Sequence, residues 1–204
     1  MVGDSIVNFQ FEQHLSHPLV AVFRRVDPEK VAQYVEQLVS TDFPLIEVTM
    51  DSPDWKNTAQ KITTRGGIWG AGTVVSTEQV KQAVDAGAHF MMSPVCDGEV
   101  IAAGAETGIP FVPGCMTPSE INAAMKAGAS AVKLFPAVSI GTEGITSLRG
   151  PFPDIPFVAT GGITLRNAAT YIKSGATFIG IGTSLFREPT LVEKQLQEFR
   201  NSLT

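Results

Sequence analysis

Residues 111–135 read FVPGCMTPSEINAAMKAGASAVKLF, and this stretch holds one complete structural unit. Phe111-Val112 is a short apolar strand. Thr117-Pro118-Ser119-Glu120 then places a hydroxyl at the N-cap, proline at the first helical position and glutamate at N3, the pattern that opens a helix. Ala127-Gly128-Ala129 closes that helix: glycine suits the left-handed C′ position, and alanine lets the chain turn tightly toward the sheet. Ala131–Phe135 follows as a second apolar strand. Strand, helix and strand in this order form a parallel βαβ unit, because the helix is the crossover.

The same unit recurs in both directions. Further strands are expected at Leu19–Phe23, Leu45–Thr49, Ile68–Gly72, Phe90–Ser93, Phe157–Ala159 and Phe178–Gly182. Further helices are expected to begin near Asp27-Pro28, Pro53-Asp54, Thr77-Glu78, Asp97–Glu99, Thr142-Glu143, Thr164-Leu165 and Pro189-Thr190. Ala86-Gly87-Ala88 and Ser174-Gly175-Ala176 repeat the helix-to-strand joint. Eight βα units of about 25 residues fill a 204-residue chain. The expected fold is therefore α/β, a single (β/α)8 TIM barrel spanning 1–204 as one domain, with an N-terminal helix over the first fifteen or so residues. An open doubly wound sheet also alternates its elements, but its first strand usually runs into a glycine-rich turn. Here Arg24-Arg25 follows the first strand, so the barrel is preferred.

Hydrophobic residues make up 44% of the chain and charged residues 17%, a composition suited to a buried parallel sheet. The formal charge of −5 argues against nucleic acid or an anionic membrane as partner. An anionic substrate must then be held by local groups. Two cysteines, Cys96 and Cys115, make no disulfide framework and no C-x-x-C pair. The apolar runs are too short to span a bilayer, so a cytoplasmic protein is expected. His14, His17 and His89 have no ligand spacing, and neither metal nor cofactor is expected.

In a barrel the site lies at the C-terminal ends of the strands. Lys133 is the residue there that most needs explaining. Val132 and Leu134 should face the helices, which turns Lys133 and Phe135 inward. A charged amine in an apolar interior is costly unless paired or neutral, and desolvation favours the free amine that attacks carbonyls. A lone strand lysine is more often structural, snorkelling or salt-bridged. Glu47 changes that balance. It sits mid-strand between Ile46 and Val48, on the second strand, opposite the sixth. Inward residues of alternate strands share interior layers, so the carboxylate and the amine can meet near the axis. Together they are the minimum set for Schiff-base formation and proton transfer. A structural buried ion pair is the competing interpretation.

Gly161-Gly162 after the seventh strand and Gly182-Thr183 after the eighth are candidates for phosphate, bound by backbone N–H groups with a hydroxyl from Thr183 or Ser184. Glycines that merely permit turns are the alternative. Gly70-Ala71-Gly72-Thr73 lacks dinucleotide spacing and fits a narrow wall with the Thr73 hydroxyl toward the substrate. Arg24, ending the first strand, can clamp a carboxylate, although the adjacent Arg25 leaves a plain surface role open.

These segments, in order, resemble a known family. Glu47-Val48-Thr49, Gly70–Val74, Ser93-Pro94, Val112-Pro113-Gly114, Val132–Pro136 and Thr160–Ile163 are similar to the motifs of the bacterial KDPG/KHG aldolases, which cleave 2-keto-3-deoxy-6-phosphogluconate. The likeness covers nearly the whole chain. It implies a class I aldolase with Lys133 as the Schiff-base amine and Glu47 as the general acid/base. It implies Thr73, Pro94 and Phe135 around the pyruvate moiety, and Gly161, Gly162, Gly182 and Thr183 around phosphate. It also implies a homotrimer acting on a small 2-keto acid phosphate. Gluconate-type members often carry an arginine two residues after the E-V-T threonine. Here Asp51 stands there, and Asp51-Ser52-Pro53-Asp54-Trp55 looks like the N-S-P-x-W of the galactonate (KDPGal) branch, in which an arginine ending strand one, here Arg24, can serve the carboxylate. Ser93-Pro94-Val95-Cys96 departs too, since glycine or asparagine often follows that proline. The substrate epimer stays open, as does 4-hydroxy-2-oxoglutarate cleavage. Rival readings are another phosphate-binding barrel, such as an isomerase or a thiamin-phosphate-type synthase, and a non-catalytic sugar-phosphate sensor.

Overall fold

The computed structural model describes residues 18–41, 45–186 and 192–203. The chain alternates β1 (Leu19–Phe23), α1 (Pro28–Ser40), β2 (Leu45–Thr49), α2 (Trp55–Thr63), β3 (Ile68–Gly72), α3 (Thr77–Asp85), β4 (Met91–Met92) and α4 (Gly98–Glu106). It continues through β5 (Phe111–Val112), β6 (Gly114–Cys115), α5 (Pro118–Lys126), β7 (Val132–Leu134), α6 (Ala137–Arg149), β8 (Phe157–Thr160), α7 (Leu165–Lys173), β9 (Phe178–Ile181), a 3-10 turn (Thr183–Phe186) and α8 (Val192–Leu203).

All strand pairs are parallel, and the order is β5-β4-β3-β2-β1-β9-β8-β7-β6. β5 and β6 are two halves of one barrel strand, divided by Pro113, which has no N–H for the ladder. Ser93 N donates to Val112 O at 3.0 Å on one side, and Lys133 N donates to Pro113 O at 2.8 Å on the other. The sheet thus closes through this strand into the expected eight-fold barrel.

Side chains separate by the period of two. Ala21, Ile46, Val48, Ala71, Val132, Leu134, Ala159 and Ile179 join the large cluster between sheet and helices. Val20, Leu45, Phe90, Met92, Val112, Ala131, Val158 and Phe178 fill the barrel interior. The apolar filling stops above Leu45 and Ala131, where the next inward residues are Glu47 and Lys133. β3 makes room for them with glycine. A Cβ on Gly70 would strike the Phe90 ring, and one on Gly72 would lie 2.7 Å from Glu47 Cδ.

The capping expectations hold where the structure describes them. Thr117 and Glu120 form a capping box, and Asp27 and Asp97 accept from the first turns of α1 and α4. Gly87, Gly128 and Gly175 all take left-handed φ at the repeated joint. Several boundaries differ: β8 runs one residue past the expected Ala159 and β9 stops one residue before Gly182. β4 and β7 are shorter at both ends than Phe90–Ser93 and Ala131–Phe135, and at their C-terminal ends the prolines at 94 and 136 have no N–H to extend the ladder. α6 starts at Ala137, not near Thr142; Gly141 (φ 70°, ψ 169°) breaks it, so a first turn precedes the expected start. The expected N-terminal helix and the helix start at Pro189-Thr190 lie outside the described residues.

Arg149, in the last turn of α6, ties the barrel strands at the end away from the strand C-termini. Its guanidinium donates to Gly175 O from Nε at 2.8 Å and to Ile155 O at 2.7 Å, and lies 4.2 Å from the Phe157 ring centroid. Desolvation pulls its pKa down from the usual arginine value.

Candidate active site

The strand C-termini converge on a cavity of about 590 Å³. Lys133 on β7 and Glu47 on β2 form its floor. Lys133 Nζ stands 3.4 Å from Glu47 Oε1, with side-chain exposures of 5% and 1%. The other carboxylate oxygen, Oε2, is buried with no hydrogen-bond partner, the only such side-chain atom among the described residues. A buried ion pair repays its desolvation only when the remaining polar atoms are satisfied. This pair leaves a buried acceptor without a partner, so its arrangement is not one chosen for stability alone. The Phe135 ring centroid lies 5.5 Å from Nζ and gives the amine an apolar wall.

The rim is built by the loops. Thr160 ends β8 and Gly161 and Gly162 follow it, and Gly182 and Ser184 follow β9. Gly161 (φ 96°) and Gly162 (φ 81°) take backbone conformations that disfavour side chains. A Cβ on Gly162 would also sit 2.7 Å from Val138. These glycines therefore do permit a turn, and the turn faces the cavity. Ser184 Oγ donates to Ile163 O at 3.4 Å, linking the two loops.

On the opposite rim Arg24 spans three loops. Its Nη1 donates to Asp51 Oδ2 at 2.8 Å, and its Nη2 donates to Thr73 Oγ1 at 2.7 Å. Arg25 Nη2 lies 3.7 Å from the same Asp51 oxygen, and Arg25 N donates to Ser52 Oγ at 2.8 Å.

Arg24, Glu47, Thr73, Pro94, Lys133, Phe135, Gly161, Gly162 and Gly182 thus line one cavity. Thr183 opens the 3-10 turn beside it, but its side chain lies outside the described residues. Sequence reasoning missed Val22, Thr160, Ile163, Thr164 and Gly180, which line it too. Val22, Thr160 and Gly180 each continue the inward period of two from Val20, Val158 and Phe178, and that alternation was the signal for them. His89 Nδ1 lies 3.3 Å from Trp69 O, away from this cavity. Among the described residues there is no group of three or more His, Cys, Asp or Glu that could hold a metal ion, and no helix is long and apolar enough to cross a membrane.

Fold and site together define a parallel-barrel enzyme with an amine and a carboxylate at the strand C-termini. The family model for KDPG and KHG aldolase matches residues 12–201, and the chain belongs to that family of lyases. It is 39% identical over 177 residues to the Rhizobium meliloti protein named "Probable 2-dehydro-3-deoxy-6-phosphogalactonate aldolase", across 85% of this chain and 84% of that one. The native KDPGal structure superposes with a TM-score of 0.80 at 31% identity, over 91% and 92% of the two chains. The KDPG aldolase of Legionella pneumophila, with pyruvate captured as a covalent carbinolamine, superposes with a TM-score of 0.75 at 26% identity over 93% of each chain.

Proposed function

We propose that this chain is a class I aldolase cleaving a 2-keto-3-deoxy-6-phospho-sugar acid to pyruvate and glyceraldehyde 3-phosphate. The observation that carries this reading is the buried Lys133–Glu47 pair lining the cavity, with Glu47 Oε2 left without a hydrogen-bond partner. Lys133 adds to the C2 ketone, giving a carbinolamine that loses water to an iminium, while Glu47 moves the protons. Glu47 then takes the C4 hydroxyl proton. The C3–C4 bond breaks, its electrons pass to the iminium as an enamine, and the aldehyde leaves. Protonation at C3 and hydrolysis release pyruvate and restore the amine.

Arg24 and Thr73 hold the C1 carboxylate, with Pro94 and Phe135 packed about the three-carbon unit. Backbone N–H groups at Gly161, Gly162, Gly182 and Thr183 receive the phosphate, with the Ser184 hydroxyl beside them. The galactonate epimer is the favoured substrate. The Rhizobium meliloti relative bears that name, and the cation on the carboxylate side of the cavity is Arg24 after β1, not a residue after Thr49. The same reading extends to a single-domain, cytoplasmic protein assembling as a homotrimer, with no resident metal or cofactor.

The test is a coupled pyruvate-release assay on the gluconate and galactonate epimers, each with and without the 6-phosphate. Fastest release from the phosphorylated galactonate epimer is expected. Release from 4-hydroxy-2-oxoglutarate alone would transfer the assignment to that substrate. Ligand binding with no pyruvate from any of them would leave a sugar-phosphate sensor.

A further inference from the structure

We infer that Asp51 is a positioning residue for the substrate carboxylate, acting through Arg24. The inference rests on the aldolase reading above, in which Arg24 and Thr73 meet that carboxylate. It starts from an oddity of charge: an acid sits at the rim where an anion must bind. Asp51 is not among the residues that line the cavity, whereas Arg24 and Thr73 are. The acid stands behind the arginine.

The hydrogen bonds give it a task there. Arg24 is gripped at both ends, Nη1 by Asp51 Oδ2 at 2.8 Å and Nη2 by Thr73 Oγ1 at 2.7 Å. Two anchors on a planar group fix its plane, and a guanidinium has further N–H donors for an incoming carboxylate. Thr73 Oγ1 is the acceptor toward Arg24, because arginine has no acceptor. Its own hydroxyl proton is therefore free to be donated into the cavity. Asp51 thus settles the Arg24 plane directly, and Thr73's donor direction through it.

Charge follows the same logic. Arg24 and Arg25 carry two positive charges within 3.7 Å of one Asp51 oxygen. The carboxylate leaves the cluster with a net charge of one, matched to one substrate carboxylate. The Arg24–Asp51 pair is 44% and 31% exposed, and pairs so exposed contribute little to stability. Its value is orientation.

The backbone supports a built clamp. Among the described residues, three that are not glycine have positive φ: Arg25 (51°), Asp54 (60°) and Thr73 (58°). One lies in each of the loops after β1, β2 and β3, the loops this cluster joins. Such strain persists where surrounding contacts over-determine it. Those contacts include Arg25 N to Ser52 Oγ at 2.8 Å and Thr49 Oγ1 to Ser52 Oγ at 2.8 Å.

The test measures the concentration dependence of borohydride trapping with pyruvate in the full chain, for D51A, D51N, R24A and D51A/R24A. Asp51→Ala should raise the pyruvate half-saturation concentration about tenfold with little change in the limiting rate, the cost of a mispositioned clamp. Asp51→Asn keeps an acceptor for Nη1 and should stay within about threefold of wild type. In the Arg24→Ala background the Asp51 change should add nothing, since it acts through that side chain. An unchanged half-saturation in D51A would overturn the inference. So would a fall in limiting rate as large as the rise in half-saturation, which marks general damage, or a D51N defect equal to that of D51A. Failure of the wild-type chain to trap pyruvate on Lys133 would instead overturn the aldolase reading beneath it.

Discussion

Gly72→Ala probes the placement of Glu47 while leaving the Lys133 and Glu47 side chains themselves unchanged. Gly72 pairs with Thr49 on β2, and an added Cβ would lie 2.5 Å from Glu47 Cγ and 2.7 Å from Cδ. Ordinary carbon contacts begin near 3.4 Å, so the glutamate must retreat by about 1 Å, and a displacement of that size at a catalytic group costs on the order of 100-fold in rate. Glu47 lines the cavity, so the displaced side chain moves into that space and loses its 3.4 Å placement against Lys133 Nζ. Overpacking of this kind costs about 2 kcal/mol of stability. For a chain of this length that lowers Tm by about 6 °C. The assay pairs kcat from coupled pyruvate release at 25 °C with a thermal melt of the same preparation. The signature is a large loss of kcat in a protein that still melts cooperatively. A variant that keeps kcat within about threefold of wild type would refute the claim that Glu47's position relative to Lys133 sets the rate.

Arg149→Lys should destabilise the fold by about 2–3 kcal/mol in urea titration, because one ammonium cannot replace a fork that reaches Gly175 O and Ile155 O together; turnover per folded molecule should stay unchanged. Glu120 tests the capping box by pH. The Met116 backbone N–H, at 2.8 Å, and the Thr117 hydroxyl hold its carboxyl below the usual value of 4.5. A depressed folded pKa gives stability that is present above the unfolded value and lost as pH falls through the folded one. Wild type should therefore exceed Glu120→Gln by about 1 kcal/mol at neutral pH, and the gap should close as pH falls below 4.5. A gap independent of pH would assign the effect to packing.

The parts of this molecule legible in its sequence are those carried by short periods. Alternation along Ala131–Phe135 and Leu45–Thr49 was enough to turn Lys133 and Glu47 inward, because a strand offers two faces and the other face was apolar. The cap at Thr117 and the glycine joints were legible because their chemistry is local. Proline effects were read less well. Pro113 divides one barrel strand into β5 and β6, and Pro136 starts α6 five residues before the Thr142 signal, a turn that Gly141 then breaks. The rim was least legible. Asp51 read only as a departure from a family pattern, since its partners Arg24 and Thr73 come from other loops. Thr160 lay within a glycine motif and was passed over, although its inward position followed from Val158.

The central claim is that Lys133 is the amine that bonds to the substrate ketone. Borohydride reduction in the presence of pyruvate, followed by peptide mass mapping, tests it most directly. A reduced pyruvyl adduct on Lys133 alone is predicted, absent in Lys133→Ala and not recovered by Lys133→Arg, whose guanidinium is not a free amine. An adduct on another lysine, or none in the wild-type chain, would contradict the account.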